Sequence, residues 1–212
     1  MKCCHDKRIM LNPYELLRLA KNRGITVAEL IRDFTEDEGT ILKFEGPDCA
    51  CVFLGPEGCT VHPDRPLVCR LYPLGRYVPP VGGEAFATME GHPESAGVFA
   101  DSESLEPHDT IGEFLEGQRV ARHIKASEQY YRLYTTISAL AEDPEPTDIE
   151  HPESEGPGGE FWLHADAIAS EYCREHGLPE PESAEAQMEA HIAAVTAWAH
   201  RRFKTDAPSN SS

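Results

Sequence analysis

The order of apolar and polar residues divides the chain into helical and non-periodic segments. Asn12 suits an N-cap, Pro13 suits the first helical position, and Glu15, three residues after Asn12, completes a capping box. Leu16, Leu17, Leu19 and Ala20 then supply one apolar face, and Gly24 ends the helix. Thr26 and Glu29 cap a second, shorter helix that buries Val27, Leu30, Ile31 and Phe34. The chain turns acidic from Thr35 to Gly46, with a short strand expected over Ile41–Phe44. Helical spacing returns at Thr110, capped with Glu113. Ile111, Phe114, Leu115, Val120, Ile124, Tyr131, Tyr134, Ile137 and Leu140 carry a helix through Ala141. Two more helices are expected, over Phe161–His176 with Gly177 as the stop, and over Ala184–Phe203, with a frayed tail from Thr205.

Between these parts, Cys49 to Pro93 is rich in Pro and Gly and keeps neither period. A stretch of that length inside a compact domain needs another source of order, and a bound metal would supply it. The predicted fold is therefore mainly α, with irregular, metal-organised cysteine-rich loops and little β. The expected division is a cysteine-cluster domain with a long helix over 1–141, an acidic linker over 142–160, and a C-terminal helical pair and tail over 161–212. The linker assignment follows from eight acidic residues and no Lys or Arg in Glu142–Glu160.

Composition sharpens this division. The chain has 212 residues, 40% hydrophobic and 26% charged, which is ordinary for a globular protein, and a net charge of −18. Met1–Arg76 carries 11 basic and 11 acidic residues, whereas Tyr77–Ser212 carries 8 and 26, so all the excess charge lies downstream. That excess argues against nucleic acid bound by phosphate neutralisation and against anionic lipid. The acidic C-terminal half is instead a candidate surface for a protein partner. No apolar run approaches the roughly 18 residues of a membrane span. Met1–Met10 is polar and cysteine-rich where a leader would have its apolar core. A soluble, cytoplasmic protein is the expectation.

Six of the seven cysteines, Cys3, Cys4, Cys49, Cys51, Cys59 and Cys69, fall in the neutral part. In a reducing compartment that pattern indicates metal rather than disulfides. Gly55, Pro56 and Gly58 allow a tight reversal bringing Cys51 and Cys59 onto one ion, while Pro63, Pro66 and Pro73 restrict the backbone. Four thiolates around Zn²⁺, or around an oxidised [4Fe–4S] cube, leave a formal charge of −2. Arg65 and Arg70, close in sequence to Cys69, are candidate donors to such a cofactor; the alternative is ordinary surface arginines. The spacings match neither a zinc ribbon nor a bacterial ferredoxin, so they leave the metal undetermined.

Cys3-Cys4, the Pro13-x-Glu15 helix, Cys51-x-Phe53-Leu54, Cys59 and Arg65-Pro66-x-x-Cys69-Arg70-x-Tyr72-Pro73 together resemble the YkgJ-type cysteine-cluster family over roughly Met1–Leu140. The resemblance implies zinc or iron chelation, with Cys3, Cys4, Cys51, Cys59 and Cys69 as ligands. Some members are labelled Fe–S oxidoreductases, and flagellin lysine methylases carry a similar cluster. The alternative it implies is an Fe–S-dependent oxidoreductase or accessory protein-modifying enzyme holding a [4Fe–4S] cluster. The family motif opens C-x2-C-x2-C-C, and this chain begins too late for the first two cysteines. Either the site is reduced, or the true start lies upstream of Met1.

Lesser candidates follow. Cys49 is a ligand or a spare thiol. His92, in Gly91-His92-Pro93-Glu94, falls where many members of that family have a further cysteine or histidine. His62 stands where the family has an aromatic residue and is read as packing or surface, and His5 as exposed. Cys173, beside Ile168, Ala169 and Tyr172, is read as a small core thiol, and Tyr130, Tyr131 and Tyr134 as core or interface. No phosphate-binding, dinucleotide, nucleophile-elbow or His-Glu-x-x-His motif is present, so no catalytic residue is assigned.

Overall fold

A computed structural model describes residues 2–79, 83–88, 110–141 and 162–204. The described residues are mainly α, with β structure confined to two-stranded ladders. Helix α1 (Pro13–Arg23) begins where the capping signal places it. The Asn12 Oδ1 accepts from the Glu15 N–H and the Glu15 carboxylate from the Asn12 N–H, each at 3.0 Å. Gly24, at φ 69°, closes its other end in the left-handed conformation that glycine adopts without strain. The Thr26–Glu29 box starts α2 (Val27–Phe34) in the same way.

After α2, four antiparallel ladders carry the irregular segment. Strand β1 (Thr35–Glu36) pairs with β2 (Ile41–Leu42), β3 (Phe44–Glu45) with β4 (Ala50–Cys51), β5 (Leu54–Gly55) with β6 (Gly58–Cys59), and β7 (Leu74–Tyr77) with β8 (Ala85–Thr88). The strand expected over Ile41–Phe44 is thus split between two ladders at Lys43, whose N–H turns to the Phe34 carbonyl. Between β6 and β7 lies the short helix α3 (Leu67–Leu71).

The helix expected from Thr110 to Ala141 is also broken, into α4 (Ile111–Gly117) and α5 (Ala121–Leu140). Gly117 disfavours continuation, and Arg119 takes a left-handed φ of 52°. The break frees the Gln118 carbonyl to accept from Arg70 at 3.0 Å. Helix α6 (Ala165–Glu175) starts later than expected, because the Trp162 carbonyl accepts from His191 instead of joining a helical ladder. Helix α7 spans Ala184–Lys204. The acidic segment 142–160 and the tail from Thr205 lie outside the described residues.

Most of the apolar faces meet in one core, and Leu67, Leu71 and Val120 form a smaller cluster apart from it. Leu16, Leu17, Leu19, Val27 and Leu30 of α1 and α2 are essentially sealed, and the cluster runs from Cys4 through Phe53, Ala126 and Leu133 to Leu163 and Val195. Helix α7 packs against α1, α5 and α6. The Tyr14 hydroxyl donates to Glu185 at 2.7 Å, and Arg18 bridges Glu185 and Asp64. Cys173 is buried on α6. Two buried polar groups tie helices together. The Trp162 carbonyl can only accept, so His191 Nε2 carries the proton and Nδ1 accepts from the Tyr130 hydroxyl, at 2.8 and 3.0 Å. His123 is packed edge-on against Tyr14, and neither of its ring nitrogens has a hydrogen-bond partner among the described residues.

Candidate metal centre

The irregular segment and the N-terminus converge on one cavity of about 260 Å³. Cys3, Cys4, Cys51, Cys59 and Cys69 line it, together with apolar Ile9, Leu42, Phe44, Phe53 and Val61. The five sulfurs arrive on four local devices. Cys3 and Cys4 end a short 3₁₀ turn over Lys2–Cys4. Cys51 ends β4, opposite Phe44, and Cys59 ends β6, opposite Leu54. The Gly55–Gly58 pairing leaves a two-residue connection of Pro56 and Glu57, so the reversal expected there brings Cys59 back opposite Leu54 and onto the same cavity wall as Cys51. Gly58 holds φ 120°, and a Cβ on Gly55 would lie 2.9 Å from Thr60.

Cys69 comes in on α3, which has no side-chain cap of its own at Pro66. Glu15 substitutes across the fold: its Oε1 accepts the Leu67 N–H at 2.7 Å while its Oε2 holds Asn12. One buried carboxylate thus starts two helices and fixes Cys69 relative to α1. Its own desolvation raises its pKa, opposed by those two backbone donors and by Arg70. Arg70 is buried and donates to the carbonyls of Pro63, Arg65 and Gln118 at 2.5, 3.0 and 3.0 Å. It braces the Arg-Pro-x-x-Cys-Arg turn and does not line the cavity. Arg65 does line it; one end of its guanidinium donates to the Gln118 side chain, and its buried Nε has no partner among the described residues.

Three features of this donor set fit a soft cation. First, the Cys3 and Cys4 sulfurs lie 3.7 Å apart. Two sulfurs on one tetrahedral zinc stand about 3.8 Å apart, given a Zn–S distance of about 2.3 Å. Second, the backbone N–H groups of Phe53 and Val61 favour the ionised forms of the Cys51 and Cys59 sulfurs. Third, burial raises the thiol pKa of Cys51, Cys59 and Cys69, so thiolates there require a positive charge nearby. Within the vicinal pair, a hydrogen bond from Cys4 lowers Cys3 and raises Cys4. As placed, no three His, Cys, Asp or Glu side chains among the described residues stand close enough to share one ion. The sulfurs surround the cavity, and binding requires them to close inward.

The other expected ligands are placed differently. Cys49 is exposed, sits at φ 43° between β3 and β4, and is absent from the cavity wall. Its carbonyl is used instead, accepting from the Asp6 N–H at 2.9 Å. His92 lies outside the described residues. His5 is directed to the Asp48 carbonyl at 3.2 Å. His62, read from the sequence as packing or surface, stands on the cavity wall. Its place three residues after Cys59 is the sequence signal for that position.

Comparison with known families agrees with this convergence. Residues 1–91 match the CxxCxxCC family model. That model is described as a "putative zinc- or iron-chelating domain", and the match spans the N-terminal turn, every strand among the described residues and all five cavity cysteines. It is the family whose motifs the N-terminal sequence resembles. No curated protein and no solved structure matches the chain. No described helix is long and apolar enough to cross a membrane.

Proposed function

We propose that the chain chelates zinc or iron through Cys3, Cys4, Cys51, Cys59 and Cys69. The observation that carries this reading is that five thiols from four separate stretches of sequence line one cavity. The family description supports the same chemistry. Arg65 would offset thiolate charge from the cavity wall, and Glu15 and Arg70 would hold α3, and with it Cys69, in register. Bound zinc would stabilise the hairpins; bound iron would add redox capacity. Expression of the full chain, anaerobic purification and elemental analysis test the reading. Stoichiometric zinc or iron is expected, and its loss in Cys59→Ser and Cys69→Ser proteins. Wild-type metal content in both variants would refute it.

A second reading is favoured by the sulfur count, since five thiols exceed what one tetrahedral ion takes. In it four of them hold a [4Fe–4S] cluster, and the protein is an Fe–S oxidoreductase or an accessory to protein modification. Brown protein containing iron and acid-labile sulfide is then expected. Colourless protein with one equivalent of zinc contradicts it. The acidic surface as a site for a protein partner stays a separate proposal. Exchange of exposed C-terminal acids for amides should then weaken capture of that partner without changing metal content.

A further inference from the structure

We propose that His62 supplies a nitrogen ligand to the ion, closing the cysteine cavity at its solvent-facing mouth. This deepens the chelation reading above and rests on it.

Three observations carry the assignment. The first is position. His62 lines the cavity with Cys59, Arg65 and Cys69, yet its side chain is exposed, which puts it at the rim rather than in the floor. It is the histidine on the wall among the described residues. The second is spacing. Cys59 and His62 are separated by two residues, within the two-to-four spacing by which neighbouring ligands grip one zinc ion. The intervening Val61 is buried, and its carbonyl accepts from the Asp64 N–H at 2.8 Å, so the backbone turns back immediately after Cys59. His62 then opens the 3₁₀ turn His62–Asp64 that leads to Arg65.

The third is charge. Four thiolates on Zn²⁺ leave −2, whereas three of the five cavity cysteines bound as thiolates with a neutral imidazole, the other two staying protonated, leave −1. Among the described residues the cavity wall offers one cationic side chain, Arg65, whose Nε is buried without a partner. Arg70, the other arginine of the motif, spends its donors on three carbonyls. One guanidinium balances the mixed sulfur–nitrogen set and not the all-sulfur set. Such a set suits zinc, which takes imidazole and thiolate together. His62 is the outermost donor, so it governs exchange of the ion with solvent.

X-ray absorption at the zinc edge of the full chain loaded with Zn²⁺ tests this. The wild-type protein is expected to show a sulfur shell plus one lighter neighbour with the outer scattering of an imidazole. In His62→Ala that imidazole scattering should vanish, and zinc should pass to a chromophoric chelator at least about tenfold more readily, the lower end of what disturbing a zinc site costs. The variant removes an exposed side chain, so its circular dichroism should match wild type. An all-sulfur shell in the wild type, or unchanged imidazole scattering in His62→Ala, would overturn the assignment and leave chelation by cysteine standing. Undiminished zinc in Cys59→Ser and Cys69→Ser would instead bring down the chelation reading itself.

Discussion

Helices α5, α6 and α7 and the cysteine hairpins of Phe44–Cys69 are ordered by different physics. The helices bury Ala126, Leu133, Ala165, Met188 and Val195 along continuous apolar faces, and the Tyr130–His191–Trp162 relay ties them together. The hairpins have strands of two residues, and their cavity is walled partly by thiols that burial holds neutral. Isolated two-stranded ladders are marginal in water. In the helices, sequence periodicity specifies the structure apart from the break before α5 and the late start of α6. In the hairpins, turn residues specify the path, and in the proposed reading a cation holds it.

The largest effect that separates the two regions is metal removal. Structural zinc contributes on the order of 10 kcal/mol to folding of small metal-bound units. Chelation is expected to strip hydrogen-exchange protection from amides in Phe44–Cys69 while α5–α7 keep theirs. Equal loss in both regions would erase the distinction. Next is truncation inside the shared core. Leu16→Ala removes a sealed side chain and should cost about 2–5 kcal/mol in denaturant unfolding, with metal-binding stoichiometry unchanged.

A smaller effect lies at the joint between the regions. Glu15→Ala leaves the Leu67 and Asn12 N–H groups without their acceptor and should cost about 2 kcal/mol. Because Glu15 holds Cys69 in place, it should also weaken metal affinity, which Leu16→Ala should not. Titration of the helices comes next. Burial, with Arg70, Arg122 and Arg18 nearby, lowers His123 to about 3, and burial lowers His191 to about 4. The unfolded chain therefore binds more protons below the ordinary histidine pKa, and stability should fall as pH drops from about 6.5 towards 4. In thermal melts, His123→Phe should be less sensitive over that range than wild type. The smallest effect is expected for Cys49→Ser, which changes an exposed thiol off the cavity wall and should leave both metal content and melting temperature unaltered.

The same division explains what could be read without a structure. The caps at Asn12 and Thr26, the αL stop at Gly24 and the reversal at Gly55–Gly58 are local events, and each is found where residue chemistry places it. The convergence of Cys3 and Cys4 with Cys51, Cys59 and Cys69 agrees with family motifs rather than with any spacing rule. What stayed hidden are contacts between distant segments. Glu15 signals a capping box, yet its second partner, Leu67, is 52 residues away. Arg70 looks like a donor to sulfur until the kink at Arg119 presents the Gln118 carbonyl to it. That same kink breaks a helix whose apolar spacing reads as continuous. His123 and His191 carry no local signature, because their burial depends on helices that meet only in the folded core.

The central claim, that the cysteine cavity is organised by a cation, is tested most directly by metal content. Anaerobically purified full-length protein and a Cys51→Ser/Cys59→Ser/Cys69→Ser variant should be compared by elemental analysis. The account predicts at least one equivalent of zinc or iron in the first and none in the second. Equal metal in the two proteins, or none in either after growth and reconstitution with both ions, would contradict it.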